Sequence, residues 1–314
     1  MENYNKAEIL QMVEEEDVEF IRLQFTDMFG VLKNVAIPAS RIIKAMDNRC
    51  TIDLASLDGF AQREETDLYL KPDLATFSIL PWRPQQGKVA RFLCDICLED
   101  GTEYPGSPRK ILKDILEKAK EMLLTTSYEQ IKMADLAKSL GLSNGTLYVY
   151  FPSKEALFLQ LLWQEFEDRM KCLERQASLC PLRSFADLQD LILRALDRLM
   201  QDRPLFIYLE TMRIMVLESS LRCDAFRPER ERLKMRLDGW VDQLAAGGVL
   251  SRAQLQEIFS TAVALLAGFY LRGRVWRLAG GAAPSPEAMR NDVLTGMRCY
   301  LEGYALHLQP QAGN

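Results

Sequence analysis

Histidine is almost absent from this chain: His307 is the one copy in 314 residues. Catalysis built on a Ser-His or Cys-His pair therefore has a single candidate base, and it sits on a late helix. No stretch reaches the roughly 18–20 uncharged apolar residues that a membrane-spanning helix needs, so no membrane partner is expected. The opening residues, Met1 to Asn5, offer neither a basic n-region nor an apolar h-region, so no signal peptide is expected. Cysteine is sparse and scattered: Cys50, Cys94, Cys97, Cys172, Cys180, Cys223 and Cys299. Without an export signal these read as reduced thiols of a cytoplasmic protein. Cys94 and Cys97 form the only close pair, within the strand-like run Val89–Cys97. Strand residues three apart face opposite sides, so the pair is badly placed to chelate or to bridge. No second Cys or His pair completes a zinc site, and neither metal nor cofactor is implied. Internal repeats and low-complexity segments are absent too.

What is present suggests two domains, each long enough to bury a core. The composition, 48% hydrophobic and 26% charged, is that of a globular protein. The chain changes habit in the middle. Residues 1–122 carry 9 Lys and 7 Arg against 22 acidic residues, whereas residues 123–314 carry 5 Lys and 18 Arg against 22. The first part reads as α+β: a helix over 7–15, strands over 18–25 and 31–37 joined by a hairpin loop at 27–30, a short helix over 40–46, and strands over 76–80 and 89–97. The second part reads as helical almost throughout. Helices over 185–200, 204–218, 227–245, 252–278 and 286–308 carry apolar residues at i, i+3, i+4 and i+7.

One run points to a molecular partner. Met133 to Leu157 reads as two short helices joined by a turn containing Gly141, the pattern of a helix-turn-helix that lays its second helix in a DNA groove. Leu136, Ala137 and Leu140 give the first helix a core face. Gly141 ends it, and Ser143 is a good N-cap for the next. Asn144, Gly145 and Thr146 then sit at the tip of that helix, where short side chains can approach bases or phosphates. Leu147 and Phe151 turn inward. Tyr148 and Tyr150 offer hydroxyls to phosphates, or brace the helix pair. Lys154 adds a charge at the start of the following helix.

Residues 1 to about 122 resemble the N-terminal domain of type I glutamine synthetase. The stretches that carry this are Phe20 to Asp27, Gly30 with Lys33 to Val35, Phe60 with Glu64, Glu65, Asp67, Tyr69 and Leu70, Pro72 to Leu74, Pro81-Trp82, and Gly87 to Arg91. The resemblance implies a small β-grasp sheet. In that family the domain closes an active site whose metal and nucleotide ligands lie in a much larger C-terminal domain of a neighbouring subunit. Its own contribution is a loop of the form Asp-Gly-Ser-Ser-x-x-Gly-Phe. Here Asp53, Ser56, Gly59 and Phe60 match that loop, while Leu54 and Ala55 replace Gly and Ser. Asp53 and Ser56 are thus a remnant of that loop, or Asp53 simply caps it. The carboxylates that would hold Mg²⁺ against ATP do not follow residue 122, so no catalysis is expected.

From Leu123 on, the chain resembles the TetR/AcrR family of transcriptional regulators, on Met133 to Ala137, Gly141 to Ser143, Gly145 to Tyr148, Tyr150-Phe151 and Ser153 to Leu157. The resemblance implies DNA contacts from Lys132, Ser143, Asn144, Gly145, Thr146, Tyr148, Tyr150 and Lys154. Lys132 departs from the pattern, because the family usually has a capping Ser or Thr there. The resemblance also implies an all-helical ligand-sensing and dimerising domain. Phe206, Tyr208, Met212, Met215, Trp240 and Phe269 are the candidate pocket residues for a small apolar inducer. Residues 252–278 and 286–308, rich in small and apolar side chains such as Ala262, Ala264, Gly268, Leu294, Met297, Leu301 and Tyr304, are the candidate homodimer surface, or simply core.

The fold class expected is therefore an α+β β-grasp domain followed by an all-α helix-turn-helix and helical-bundle regulator. The boundaries expected are 1–106 for the β-grasp, 107–124 for a shared joining helix, 125–160 for the DNA reader and 161–314 for the ligand-binding and dimerisation domain. The joining helix suits both sides: Ser107 caps it, Pro108 occupies its first turn, and Ile115, Leu116, Ala119, Met122, Leu123 and then Tyr128 fall where the regulator family needs apolar groups. The functional expectation is a dimeric repressor that leaves its double-stranded DNA operator when the inducer binds. The alternatives are a glutamine synthetase fragment without its catalytic domain, and a chimera that folds without a specific function.

Overall fold

The computed structural model describes residues 4–27, 29–53, 67–82, 87–179, 182–213, 217, 227–278 and 284–308, without the side chains of 176–179 and 273–278. These fall into two compact units, Met1–Lys118 and Ala119–Asn314.

The first unit is a five-stranded mixed sheet with two helices. Its elements are α1 (Lys6–Glu15), β1 (Val18–Thr26), β2 (Leu32–Pro38), a 3-10 turn (Ala39–Arg41), α2 (Ile42–Met46), β3 (Cys50–Asp53), β4 (Asp67–Ile79) and β5 (Lys88–Cys97). The strand order is β2-β1-β5-β4-β3. β1 runs parallel to β5, and every other neighbouring pair is antiparallel. Asn5 caps α1 in a reciprocal box with Glu8, which satisfies three orphan amides at that end. Ile9 and Val13 of α1 and Ile42, Ala45 and Met46 of α2 join Ile21, Leu23, Leu68, Leu70, Phe92 and Ile96 in one apolar core. The β1–β2 hairpin loop ends as its sequence suggests. Gly30 adopts φ +77°, and buried Asp27 accepts the amides of Phe29 and Val31 at 2.9 Å each.

β3 and the first half of β4 have no counterpart in the strands expected from sequence. β3 is only four residues long, and in β4 the apolar run Leu68–Leu70 is cut short by Lys71 and Pro72. The sheet tolerates Pro72 because β3 pairs with β4 only as far as Leu70, so beyond it β4 is bonded on one side alone. The register then shifts between Asp73 and Ser78, and the Thr76 hydroxyl patches the gap by accepting the Leu93 amide at 2.8 Å. Cys94 and Cys97 are both buried in β5 as free thiols, and burial raises the pKa of each.

Helix α3 (Pro108–Thr125) contains the boundary between the units. Its first turns are tied to the sheet by Arg109 on Asp73 (2.6 Å) and Lys113 on Asp95 (3.0 Å) and Glu103 (2.7 Å). Ile115, Leu116, Ala119 and Leu123 are buried along one stripe.

The described part of the second unit is helical: the end of α3, then α4 (Met133–Ser139), α5 (Asn144–Tyr150), α6 (Lys154–Leu179), α7 (Phe185–Asp202), α8 (Pro204–Met212), α9 (Arg227–Ala245), α10 (Arg252–Leu278) and α11 (Pro286–Leu308). Ser184 caps α7 in a box with Asp187, and Pro204 opens α8. Arg236 of α9 grips Glu174 and Glu167 of α6, and Arg290 of α11 grips Asp197 of α7. In α11, Val293, Met297 and Leu301 form the buried stripe. Of the residues suggested for a dimer surface, Met297, Leu301 and Ala262 are thus core of the protomer, while Ala264 and Gly268 are exposed. Among the described residues no helix is long and apolar enough to cross a membrane.

Candidate nucleic-acid interface and ligand cavity

The helix-turn-helix is small and locally determined. Lys132 occupies the N-cap of α4 without any capping bond from its side chain, as its chemistry dictates. Leu136, Ala137 and Met133 are buried beneath it. Gly141 turns the chain at φ +68°, a conformation that favours glycine, and the Leu142 amide closes the turn on the Ala137 carbonyl at 2.9 Å. Ser143 caps α5 by accepting the Thr146 amide at 3.0 Å. Leu147 and Phe151 are buried, which fixes the roll of α5. Asn144, Gly145, Tyr148 and Val149 are left exposed, with Thr146 and Tyr150 partly so. Tyr148 is 51% exposed and free to reach outward. Burial raises the pKa of half-buried Tyr150, so its hydroxyl stays a neutral donor and acceptor.

Lys154, a candidate phosphate contact, also has partners within the protomer. Its ammonium donates to the carbonyls of Tyr128 (2.8 Å) and Ile131 (3.0 Å) and lies 4.0 Å from the centroid of the Tyr128 ring. Tyr128 is the hub of this corner. Its ring stands edge-on to Phe158 at 5.3 Å, its hydroxyl donates to Glu155 at 3.0 Å, and its amide donates to the Tyr208 hydroxyl of α8 at 3.3 Å. Tyr208 is therefore a strut between the reader and α8, and it lies off the cavity wall.

A cavity of about 520 Å³ opens among α6, α7, α8, α9 and α10. Phe206 and Trp240 line it, as proposed from sequence. Tyr208, Met212 and Phe269 do not appear on its wall among the described residues: Met212 is buried elsewhere, and Phe269 edges a shallow depression on α10. Met215 lies outside the described residues, as does Ser56 of the loop remnant. Asp53 closes the β3–β4 ladder opposite Asp67. Sequence reasoning missed Trp163, Phe166 and Arg169 of α6 and Phe259 of α10 on the cavity wall. The aromatic pair had a signal in its spacing of three. Arg169 had none, because a charge inside an apolar stripe reads as a solvated turn.

The family comparisons divide along the same line as the sequence. Residues 17–99 match the glutamine synthetase beta-Grasp domain, and residues 115–161 match the family of bacterial regulatory proteins, tetR family. A glutamine synthetase of Clostridium saccharobutylicum is 53% identical over 122 residues, 39% of this chain and 28% of the relative. One from Staphylococcus epidermidis is 46% identical over 123 residues, again 39% of this chain and 28% of the relative. A solved structure described as apo GmaS without ligand aligns with 35% of this chain and 25% of its own, at 27% identity and a TM-score of 0.32. The chain thus spans little more than a quarter of the length of the curated relatives it matches. It joins a glutamine synthetase-like β-grasp domain to a TetR-like N-terminal domain.

Proposed function

We propose that this chain is a TetR-like transcriptional regulator: a homodimeric repressor that binds a double-stranded operator through α4 and α5 and leaves it when a small, mainly apolar ligand enters the cavity. The β-grasp unit is an appendage without catalysis of its own, and the protein works in the cytoplasm. The observation that carries this reading is the tip of α5. Ser143 spends its oxygen on the cap, and Asn144, Gly145, Thr146 and Tyr148 are presented outward above a buried Leu147 and Phe151. Such a tip suits base-edge and phosphate contacts, with Lys132 and Tyr150 at the flanks.

The sensing route follows from helix continuity. α6 starts at Lys154 in the reader and carries Trp163, Phe166 and Arg169 along the cavity wall, so one rigid element touches both. Tyr208 adds a second tie through α8. A ligand that favours one spacing of the two readers in a dimer shifts that population and lowers operator affinity. The dimer surface proposed is the outer face of 252–278 and 286–308, where Val263, Ala264, Gly268 and Leu306 are exposed.

The test is a gel shift against DNA flanking the gene, over a range of salt. The intact chain gives a salt-sensitive shift, and Tyr148→Ala weakens it by at least about 30-fold, the loss of one contact of ~1–2 kcal/mol from each protomer of the dimer. Absence of any shift that depends on both salt and Tyr148 overturns the reading. The net charge of −5 keeps non-specific binding weak, which sharpens the contrast.

A further inference from the structure

The cavity is apolar for most of its wall, yet its charged groups are not balanced. Arg169, Arg213, Arg230 and Lys234 line it against Glu210 and Asp238. Both carboxylates already have partners. Glu210 takes Arg213 in a two-pronged pair at 2.9 and 2.8 Å, and Asp238 takes Arg252 at 3.0 Å. Arg169 has no carboxylate within ion-pair distance among the described residues. Its guanidinium instead lies over the ring of Phe206, 5.2 Å from the centroid. Burial holds its pKa down to about 10, opposed by the field of Glu210, so at neutral pH it stays a cation in a partly buried place. A second donor is stranded nearby. Trp240 is 5% exposed, lines the same cavity, and its indole N–H meets no acceptor among the described residues. Buried donors normally find acceptors, and a desolvated cation normally finds an anion. Arg230 and Lys234, exposed on α9, line the same cavity and add a positive field that would draw an anion in.

Resting on the reading of this cavity as the ligand site, we propose that its ligand is an amphipathic monocarboxylate: an organic acid whose carboxylate takes Arg169 and whose apolar body lies among Trp163, Phe166 and Phe259. A guanidinium presents a planar fork that fits a carboxylate on two bonds, and such charge-assisted bonds are about twice as strong as neutral ones. An alcohol of equal length would fill the same volume, accept at most one N–H of Arg169 and leave its charge unneutralised. A cationic amine would meet Arg169 as a like charge.

The experiment uses the full chain without DNA and three probes of one chain length: decanoate, decan-1-ol and decylamine. Trp163 and Trp240 both line the cavity, so tryptophan fluorescence reads occupancy directly, with calorimetry as the second measure. The intact chain binds decanoate at least tenfold more tightly than decanol and shows no saturable binding of decylamine. Arg169→Gln removes that preference, weakening decanoate at least fivefold more than decanol, and Arg169→Lys keeps part of it. Unchanged circular dichroism and an unchanged melt in Arg169→Gln exclude simple misfolding. If decanol binds as tightly as decanoate, or Arg169→Gln leaves the preference intact, the carboxylate assignment is overturned while the cavity keeps its role as a ligand site. If none of the three probes binds, both the carboxylate and the ligand site are overturned, and the operator test, which needs no ligand, still stands by itself.

Discussion

Lys154 separates two accounts of the reader, and replacing it with Met decides between them. The family resemblance makes it a phosphate contact. The structure gives two of its three N–H donors to the carbonyls of Tyr128 and Ile131 and sets its charge 4.0 Å from the Tyr128 ring centroid. Met keeps the length of the stem and removes the ammonium. A hydrogen bond from a charged donor contributes about 1.5–3 kcal/mol when buried, and a cation over an aromatic face adds about 0.5–1 kcal/mol at a partly exposed site. The site is half-buried, and the Tyr128 carbonyl also accepts the Ile131 amide at 3.2 Å, so the lower ends apply. For two such bonds and the ring contact the sum is about 3.5 kcal/mol, which lowers the melting temperature of a helical unit of this size by about 7–14 °C. The assay pairs calorimetric melting with operator titrations at several salt concentrations, taken well below the melt. Bracing predicts a large fall in Tm and an unchanged salt slope. A phosphate contact predicts an unchanged Tm and a slope lower by about 1.8, about 0.9 for each protomer of the dimer. An unmoved Tm refutes the bracing argument outright.

Three further outcomes follow from named contacts. Lys132→Thr supplies the cap that α4 lacks and raises Tm by about 2–4 °C for the ~1 kcal/mol that such a cap contributes; a Tm that stays level or falls argues against an uncapped helix end. Tyr208→Phe takes away the acceptor of the Tyr128 amide, so hydrogen exchange at that amide speeds up by about 2–10-fold, matching ~0.5–1.5 kcal/mol, and an unchanged rate removes the strut from the sensing route. The helical unit also loses stability in acid. The Arg236 hydrogen bond holds the Glu174 pKa below its usual 4.5, and the Arg290 hydrogen bond holds that of Asp197 below 3.8. Folded values below unfolded ones mean stability that is complete above those usual values and lost as pH falls through the lowered ones. Melts recorded from pH 7 to pH 2.5 therefore stay flat at first and drop below about pH 4.5, and replacing Arg236 by Met flattens part of that drop.

The reader was legible because its signals are local. Gly141 at φ +68° and Ser143 at the N-cap each act within one turn of chain, and the inward pair Leu147 and Phe151 follows from helical period alone. The helices over 227–245, 252–278 and 286–308 were legible for the same reason, each having breakers at its ends. β3 and the first half of β4 were not, because a strand interrupted by Pro72 and patched by the Thr76 hydroxyl depends on what β5 offers opposite it. The cavity was the least legible part. Whether Phe206 faces it and Tyr208 turns away depends on the roll of α8, and that roll is set by contacts distant in sequence.

Helix α3 shows how one sequence can satisfy two folds at once. Its N-terminal turns carry Arg109 and Lys113, which meet Asp73, Asp95 and Glu103 of the β-grasp unit. Its C-terminal turns carry Ala119, Leu123 and, past its end, Tyr128, all buried, while Lys120 lies 3.5 Å from Glu165 of α6. The unit boundary at Lys118 falls inside a continuous helix, where no Gly or Pro loosens it. A helix broken at its middle loses several backbone bonds and must nucleate again on each side, which is unfavourable for pieces of two or three turns. Each unit thus holds its own end of the helix through its own side-chain contacts. Lys120, which looks too polar for the first helix of a TetR-like domain, finds Glu165 of α6 at 3.5 Å and so keeps its charge at the helix margin.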